Sequence, residues 1–228
     1  SSDLSGAAAG GLAPYGGDYF PFVLIGLALS SFQGVALTSI SHAILYGMYT
    51  GTLEAMLVTP TSLPTIIFAS VLYQFMSSLV SILLYLLCGA VFFGVSLGNT
   101  NLLSAGVLLV LTLLAHLPLG ILSASFLLIF KRGDPITILL GHLTALLGGV
   151  YFPLTVLPPW LQTVAQFIPF THALEGLRQA VLNGRGLGEL ALQVGVLGLF
   201  AAVLLPLSFW TFARAVHQAK RLGTLSQF

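Results

Sequence analysis

Four polar side chains lie deep inside apolar segments of this sequence, where a polar group is costly to keep. They are Gln33, Gln74, His116 and His142. In a membrane such groups face a bundle interior or a wet path, so they are candidates for lining a substrate route. Interhelical hydrogen bonds of about 0.6 kcal/mol are the commoner alternative. The histidines show no i, i+4 pair and the acids are scattered, so the pattern predicts neither a metal site nor a catalytic residue.

The composition indicates the environment of these side chains. Of the 228 residues, 57% are hydrophobic and only 6% are charged, against about 25% charged residues in a soluble domain. Several apolar runs are long enough to cross about 30 Å of hydrocarbon. Because an unpaired backbone cannot face lipid, the sequence predicts an all-α integral membrane protein, a polytopic helical bundle. The single cysteine, Cys88, excludes an internal disulfide.

Five transmembrane helices are predicted within a membrane domain of residues 19–214. The spans cover about 19–44, 65–94, 102–130, 136–151 and 190–213, after a flexible external segment (1–18) and before a cytoplasmic tail (215–228). By parity, one side of the membrane carries most basic residues, namely Lys131, Arg132, Arg214, Lys220 and Arg221. The positive-inside bias assigns that side to the cytoplasm. This orientation places the amino terminus outside the cell, yet the first residues do not resemble a signal peptide that would carry it there. We therefore also expect an earlier span to be missing by truncation.

The first polar element is GTLEAMLVTP, which runs from Gly51 to Pro60 on the predicted cytoplasmic side. Thr52 can cap a short helix of about residues 52–58, in which Glu54 lies near the positive end. Glu54 is a candidate for a charged contact to a partner. The alternative is that Glu54 only stabilises its own helix, by about 0.3 to 1 kcal/mol.

The second polar element is a hairpin of residues 152–186 on the opposite side. Proline has no N–H and clashes with the preceding turn, so Pro158 breaks the helix before it. Pro159 can begin a new helix, which Pro169 ends. Thr171 is expected to cap a second helix, and Asn183 with Gly184 to end it.

The second hairpin helix is predicted to be amphipathic. Its polar face carries His172, Glu175, Gln179 and Asn183, which suits a membrane surface. Glu175 and Arg178, at i, i+3, are expected to form a surface ion pair of about 0.2 to 0.5 kcal/mol. Tyr151 and Trp160 fit an aromatic belt at the membrane interface.

Both polar elements resemble segments of the ABC-2 type transporter permeases, the membrane subunits of type-2 ATP-binding-cassette exporters. GTLEAMLVTP resembles the family's cytoplasmic helix that docks on the ATPase. The stretch GGVYFPLTVLPPWLQTVAQFIPFTHALEGLRQAVLNG, from Gly148 to Gly184, resembles its outward re-entrant helices. The resemblance covers about residues 18–222. Family members have six spans, so the five here would match the last five.

The resemblance implies partners and site residues. It implies a separate ABC ATPase that carries ATP and Mg, a second permease chain in a homodimer or heterodimer, membrane lipid, and a bacterial inner-membrane location with a cytoplasmic carboxyl terminus. It implies no cofactor on this chain and no nucleic acid. The ATPase-coupling residues would be Gly51, Thr52, Leu53, Glu54 and Pro60. The outward hairpin would use Tyr151, Pro153, Pro158, Pro159, Trp160, Pro169, Thr171, Glu175 and Arg178.

The predicted function is that of a permease subunit of an ATP-driven exporter. No G-x-x-x-x-G-K-[ST] motif occurs in the sequence, so ATP hydrolysis is assigned to another polypeptide. The substrate would be a lipid, a polysaccharide or oligosaccharide, or a drug-like molecule, and the residues do not choose among them. The alternatives are a non-transporting membrane scaffold or truncated permease, and a membrane-embedded lipid-modifying enzyme.

Overall fold

A computed structural model describes residues 12, 18–49, 63–95, 98–130 and 135–221. In these ranges seven α-helices and one 3-10 turn, Leu154–Val156, are present, and no strand. The helices are α1 (Tyr19–Tyr49), α2 (Leu63–Phe93), α3 (Leu102–Phe130), α4 (Pro135–Leu147), α5 (Pro159–Gln166), α6 (Pro169–Leu182) and α7 (Ala191–Arg221). The predicted polytopic all-α membrane fold is therefore confirmed.

Four of the described helices are long and apolar enough to cross a membrane. Their spanning parts are Tyr19–Ala43, Val71–Phe93, Leu102–Leu127 and Ala191–His217. The fourth predicted span is different, because α4 has only 13 residues. At 1.5 Å per residue it is about 20 Å long, shorter than the roughly 30 Å of hydrocarbon. It ends where Gly149 adopts a φ of 78°, a left-handed conformation that favours glycine.

The central helix of the bundle is α3, which packs against α1, α4, α6 and α7, whereas α2 packs mainly against α1. The crossing of α1 and α3 is close because Gly120 has no side chain. A Cβ atom there would lie 2.5 Å from the carbonyl oxygen of Ala36 and 2.9 Å from that of Leu37. Close backbone approach at small residues is a common way for membrane helices to associate.

The first residues of α1, α3 and α7 and the last residues of α2 and α4 lie at one end of the bundle, which we call the hairpin end. Helix α6 is fixed there at its carboxyl end. The Asn101 amide donates to the carbonyl oxygen of Ala180 (3.0 Å), and Thr100 Oγ1 donates to that of Val181 (3.0 Å).

From the hairpin end α6 extends into the bundle. Phe170, near its start, contacts His116 of α3, with ring centroids 6.2 Å apart. His116 lies about 21 Å along the axis of α3 from Leu102, close to the middle of that helix. The chain therefore reaches this depth through α5, which is mostly exposed, and returns to the hairpin end through the buried α6, which makes the hairpin re-entrant.

The membrane-surface position predicted for α6 is wrong. Eleven of its 14 residues are buried. Helices α3 and α7 cover much of it, and α1, α4 and α5 also contact it. Its predicted polar face is only partly buried, and three of its side chains, Glu175, Gln179 and Asn183, hydrogen-bond one another along α6.

Candidate functional site

The prolines of the hairpin determine where its helices begin. Leu157 and Pro158 are extended, and α5 starts at Pro159, as predicted. Helix α6 starts at Pro169, which needs no N–H donor at the first helical position. Thr171 therefore lies inside the first turn of α6, so the prediction that it caps the helix is wrong. Its hydroxyl is buried without a hydrogen-bond partner in the described part of the chain.

The end of α6 agrees with the prediction. The helix ends at Leu182, and Asn183 is its capping residue. Gly184 follows with a φ of 68°, the left-handed conformation that commonly closes a helix. An added Cβ at Gly184 would also meet the carbonyl oxygen of Asn99, so this turn is close to the start of α3.

The strongest polar site of the hairpin is formed by Arg178, which is only 3% exposed. Its guanidinium donates to three backbone carbonyl oxygens that belong to other elements. Nε and Nη2 donate to Phe22 at 3.2 and 2.9 Å, Nη1 donates to Gly149 at 3.0 Å, and Nη2 also donates to Val150 at 3.2 Å. The five N–H groups of arginine in a fixed fork suit such multiple binding. Arg178 therefore joins α6 to the start of α1 and to the turn after α4.

Aromatic and glycine neighbours complete this arginine site. The Arg178 Cζ atom lies 3.4 Å from the centroid of the Phe22 ring, a cation–π contact. Gly26 provides the space, because a Cβ there would be 2.7 Å from the Val150 oxygen and 3.0 Å from Arg178 Nη2. Tyr19 adds a further link, since its hydroxyl donates to the carbonyl oxygen of Tyr151 at 2.9 Å. The start of α1, the end of α4 and the hairpin are thus one hydrogen-bonded unit.

The predicted surface position of the Glu175 and Arg178 pair is wrong. Arg178 is inside the bundle and satisfies backbone carbonyls. Glu175 is half-buried, and its Oε1 accepts from Gln179 Nε2 at 2.9 Å. Asn183 Nδ2 in turn donates to Gln179 Oε1 at 2.6 Å. These three residues form a polar ladder along one side of α6, with i, i+4 spacing.

The two hairpin helices are also joined to each other. His172 Nε2 lies 2.8 Å from the carbonyl oxygen of Gln166, the last residue of α5. Trp160 is 66% exposed and Tyr151 is 46% exposed, positions that an aromatic at a membrane interface can occupy. Pro153 is buried in the segment before the 3-10 turn, and Pro158 and Pro159 are exposed.

The four candidate path-lining residues lie on four different helices, and they differ in burial. Gln33 of α1 and His116 of α3 are buried, whereas Gln74 of α2 is half-buried and His142 of α4 is exposed. His116 Nδ1 lies 2.8 Å from the carbonyl oxygen of Thr112 on its own helix. Its Nε2 is buried with no hydrogen-bond partner in the described ranges. The path-lining role of all four residues remains a prediction.

The ATPase-coupling residues Gly51, Thr52, Leu53, Glu54 and Pro60 lie outside the described residues. Across the described ranges, no group of three or more His, Cys, Asp or Glu side chains could hold one metal ion. Cys88 is a free, exposed cysteine on α2.

Sequence reasoning missed the residues that surround the Arg178 guanidinium. Phe22 and Gly26 belong to the first span, and Phe22 lies 156 positions before Arg178 in the sequence. The four-residue spacing of Gly26, Ser30 and Gly34 indicates close helix packing in that span. A glycine in a membrane helix indicates that another part of the protein packs closely against it, but it does not identify that part.

One known protein family matches most of the chain. The profile of a family described as "ABC-2 family transporter protein" matches residues 11–210. One curated relative is the linearmycin resistance permease protein LnrN of Bacillus subtilis (strain 168), which is 32% identical over 60 residues. That match covers 26% of this chain and 16% of the relative.

Proposed function

Because this chain belongs to the ABC-2 family of transporter membrane proteins, we propose that it is the permease subunit of an ATP-driven exporter in a bacterial inner membrane. The observation that supports this role is the re-entrant hairpin, which Arg178 joins to the start of α1 and to the turn after α4. Such a hairpin at one end of a bundle suits a substrate exit. A permease of this kind is not itself catalytic, and a separate ABC ATPase would hydrolyse ATP.

We place the substrate path between two permease chains. The centre of the single bundle is filled by buried apolar residues such as Leu29, Phe32, Leu108, Leu174 and Leu197. A route through one chain would require these side chains to move apart, at the cost of buried apolar area. A path between two copies, or between this chain and a related one, leaves each core intact. ATP binding would then shift the arrangement of the two chains, through its different affinity for each arrangement.

The substrate class proposed is a lipid, an oligosaccharide or polysaccharide, or a drug-like molecule. The printed name of the relative LnrN refers to linearmycin resistance. Linearmycin is therefore the first compound to test. The expected result is increased linearmycin tolerance in cells that express this permease together with its ATPase, compared with cells that express the ATPase alone.

Coupling to the ATPase gives a direct test of this function. We expect an ABC ATPase to co-purify with the permease and its hydrolysis to be stimulated by the permease. Glu54→Ala should lower that stimulation by about tenfold, within the usual range of coupling energies, while the protein still inserts. The matched control is Glu189→Ala, which removes an exposed acid at the hairpin end. Unchanged stimulation in Glu54→Ala would refute the coupling contact, and failure of any ABC ATPase to associate would refute the exporter.

The proposed orientation puts the hairpin outside the cell and the carboxyl terminus in the cytoplasm. Single cysteines at Arg185, in the turn at the hairpin end, and at His217, both exposed, test it in a Cys88→Ser background. A membrane-impermeant maleimide should label the Arg185→Cys variant in intact cells and the His217→Cys variant only after lysis. The reverse pattern would contradict the orientation. Gln179 is unsuitable for labelling, because it is only 5% exposed.

A further inference from the structure

Helix α7 has one face that is turned away from the rest of the bundle. Leu192, Leu199, Val203 and Trp210 are 67%, 64%, 57% and 53% exposed. At 3.6 residues per turn these four positions lie within about 40° of one another around the helix. The residues that α7 buries, Leu197, Ala201, Ser208 and Ala215, lie on the opposite side. We call the exposed side the free face of α7.

The apolar part of the free face has the length of a bilayer core. From Leu192 to Trp210 the helix rises about 27 Å, close to the roughly 30 Å of hydrocarbon in a typical membrane. Trp210 therefore lies at the depth where interfacial tryptophans are enriched. A face of this length and composition fits lipid chains along its whole extent.

The same face becomes basic directly after Trp210. Arg214 and His217 are exposed, and residue 221, an arginine, follows on the same side of the helix by its register. From Leu190 to Phe228 the sequence contains three basic residues, Arg214, Lys220 and Arg221, and no acidic residue. The free face thus changes from apolar to cationic at the level of the head groups.

Arg214 is held in place by Trp210. Its Cζ atom lies 3.6 Å from the centroid of the Trp210 ring, one helical turn away. This stacking orders the guanidinium at the boundary between the apolar and basic parts. An arginine so placed can donate two parallel hydrogen bonds to a phosphate group.

We propose that the basic end of the free face binds the phosphate of an anionic glycerophospholipid, whose acyl chains lie along Leu192 to Trp210. A lipid matches both parts of the face, the length of the apolar part and the charge that follows it. A protein partner would need a matching apolar helix and a matching acidic surface at one depth. The proposal depends on the membrane fold alone and holds whichever side of the membrane this end faces.

Selective lipid quenching tests the proposal. The sequence has two tryptophans, so Trp160→Phe leaves Trp210 as the only one. The full chain would be reconstituted in vesicles of equal phosphatidylcholine and phosphatidylglycerol, with bromine on the acyl chains of one lipid at a time. One arginine near an anionic membrane surface strengthens the binding of anionic lipid by about fivefold. We therefore expect brominated phosphatidylglycerol to be bound beside Trp210 at least about fivefold more tightly than brominated phosphatidylcholine.

Charge variants separate this site from a general surface effect. The double variant Arg214→Gln/Arg221→Gln should lose the preference for phosphatidylglycerol. In the protein that keeps both arginines, high salt should weaken this preference. Arg185→Gln removes an exposed arginine at the hairpin end and should leave the preference unchanged. Equal quenching by both lipids would overturn the proposal, as would a preference that survives the double variant. Absence of quenching by either lipid would mean that a protein covers the free face, and would also overturn it.

Discussion

Replacing Arg178 by alanine is expected to lower the free energy of unfolding by about 2 to 4 kcal/mol. The change removes four hydrogen bonds to the carbonyl oxygens of Phe22, Gly149 and Val150 and the contact with the Phe22 ring. Hydrogen bonds that involve a charged group contribute about 1.5 to 3 kcal/mol each, although such contributions do not add fully. Thermal or denaturant unfolding of the purified protein in one detergent would measure the difference.

Two further variants identify the reason for this loss. Arg178→Lys keeps the charge but replaces the planar fork by one ammonium group, so its stability should be intermediate. Arg185→Ala removes an arginine that is exposed and is expected to change stability by less than about 0.5 kcal/mol. If Arg178→Ala were as stable as the unaltered protein, or if Arg178→Lys restored full stability, the fork would not hold the hairpin to α1 and α4.

Replacing Gly120 by valine is expected to be nearly as damaging. Even the first carbon of the new side chain would lie 2.5 Å from the Ala36 oxygen and 2.9 Å from the Leu37 oxygen. Both are backbone atoms of a helix, so α1 and α3 would have to separate. Forced overpacking of this kind costs about 1 to 3 kcal/mol, and the same unfolding experiment would measure it.

Gly106 provides the matched control on the same helix. A Cβ at Gly106 has no neighbour within 4 Å. Gly106→Ala should therefore be neutral or stabilise α3, by up to about 1 kcal/mol, because alanine is the better helix former. A loss of stability in Gly106→Ala as large as that in Gly120→Val would show that any side chain added to α3 is destabilising, and would remove the support for a specific clash at the α1 and α3 crossing.

The two sites have different consequences for transport. Gly120 determines how closely α1 and α3 pack near the centre of the bundle, whereas Arg178 joins three elements at the hairpin end. The hairpin cannot move away from α1 without breaking charge-assisted hydrogen bonds. In the exporter that we propose, the hairpin, the start of α1 and the turn after α4 would therefore move as one body.

The membrane class and the long helices could be predicted from the sequence because they depend on local composition. A run such as Leu102–Phe130 must be helical in lipid, whatever it packs against, since only a helix satisfies its backbone. The helix start at Pro159, the interruption before Pro169 and the stop at Gly184 were predictable for a similar reason. Proline and glycine act through their own backbones, and no distant residue is needed. The prediction that Pro158 breaks the preceding helix is wrong, because α4 already ends at Leu147.

The length of α4 and the burial of α6 were not predictable in this way. Apolar residues continue past Leu147 to Tyr151, so hydropathy alone extends the span, whereas Gly148 packs against the Phe170 ring and the chain turns into the bundle. A polar face on a short helix likewise has two meanings, contact with water or contact with buried polar partners. The pattern is the same in both cases, and only the neighbouring helices distinguish them.

Arg178 is the clearest example of a residue whose position could not be predicted from its sequence neighbours. By itself the sequence determined a polytopic helical bundle with a proline-broken hairpin, because those features follow from hydropathy and backbone chemistry within a few residues. Only the tertiary structure decided that Arg178 lies inside that bundle, because the carbonyl oxygens that stabilise its buried charge belong to Phe22, Gly149 and Val150. A buried charge is stable only with its partners in place, and those partners are distant in the chain and close only in the fold.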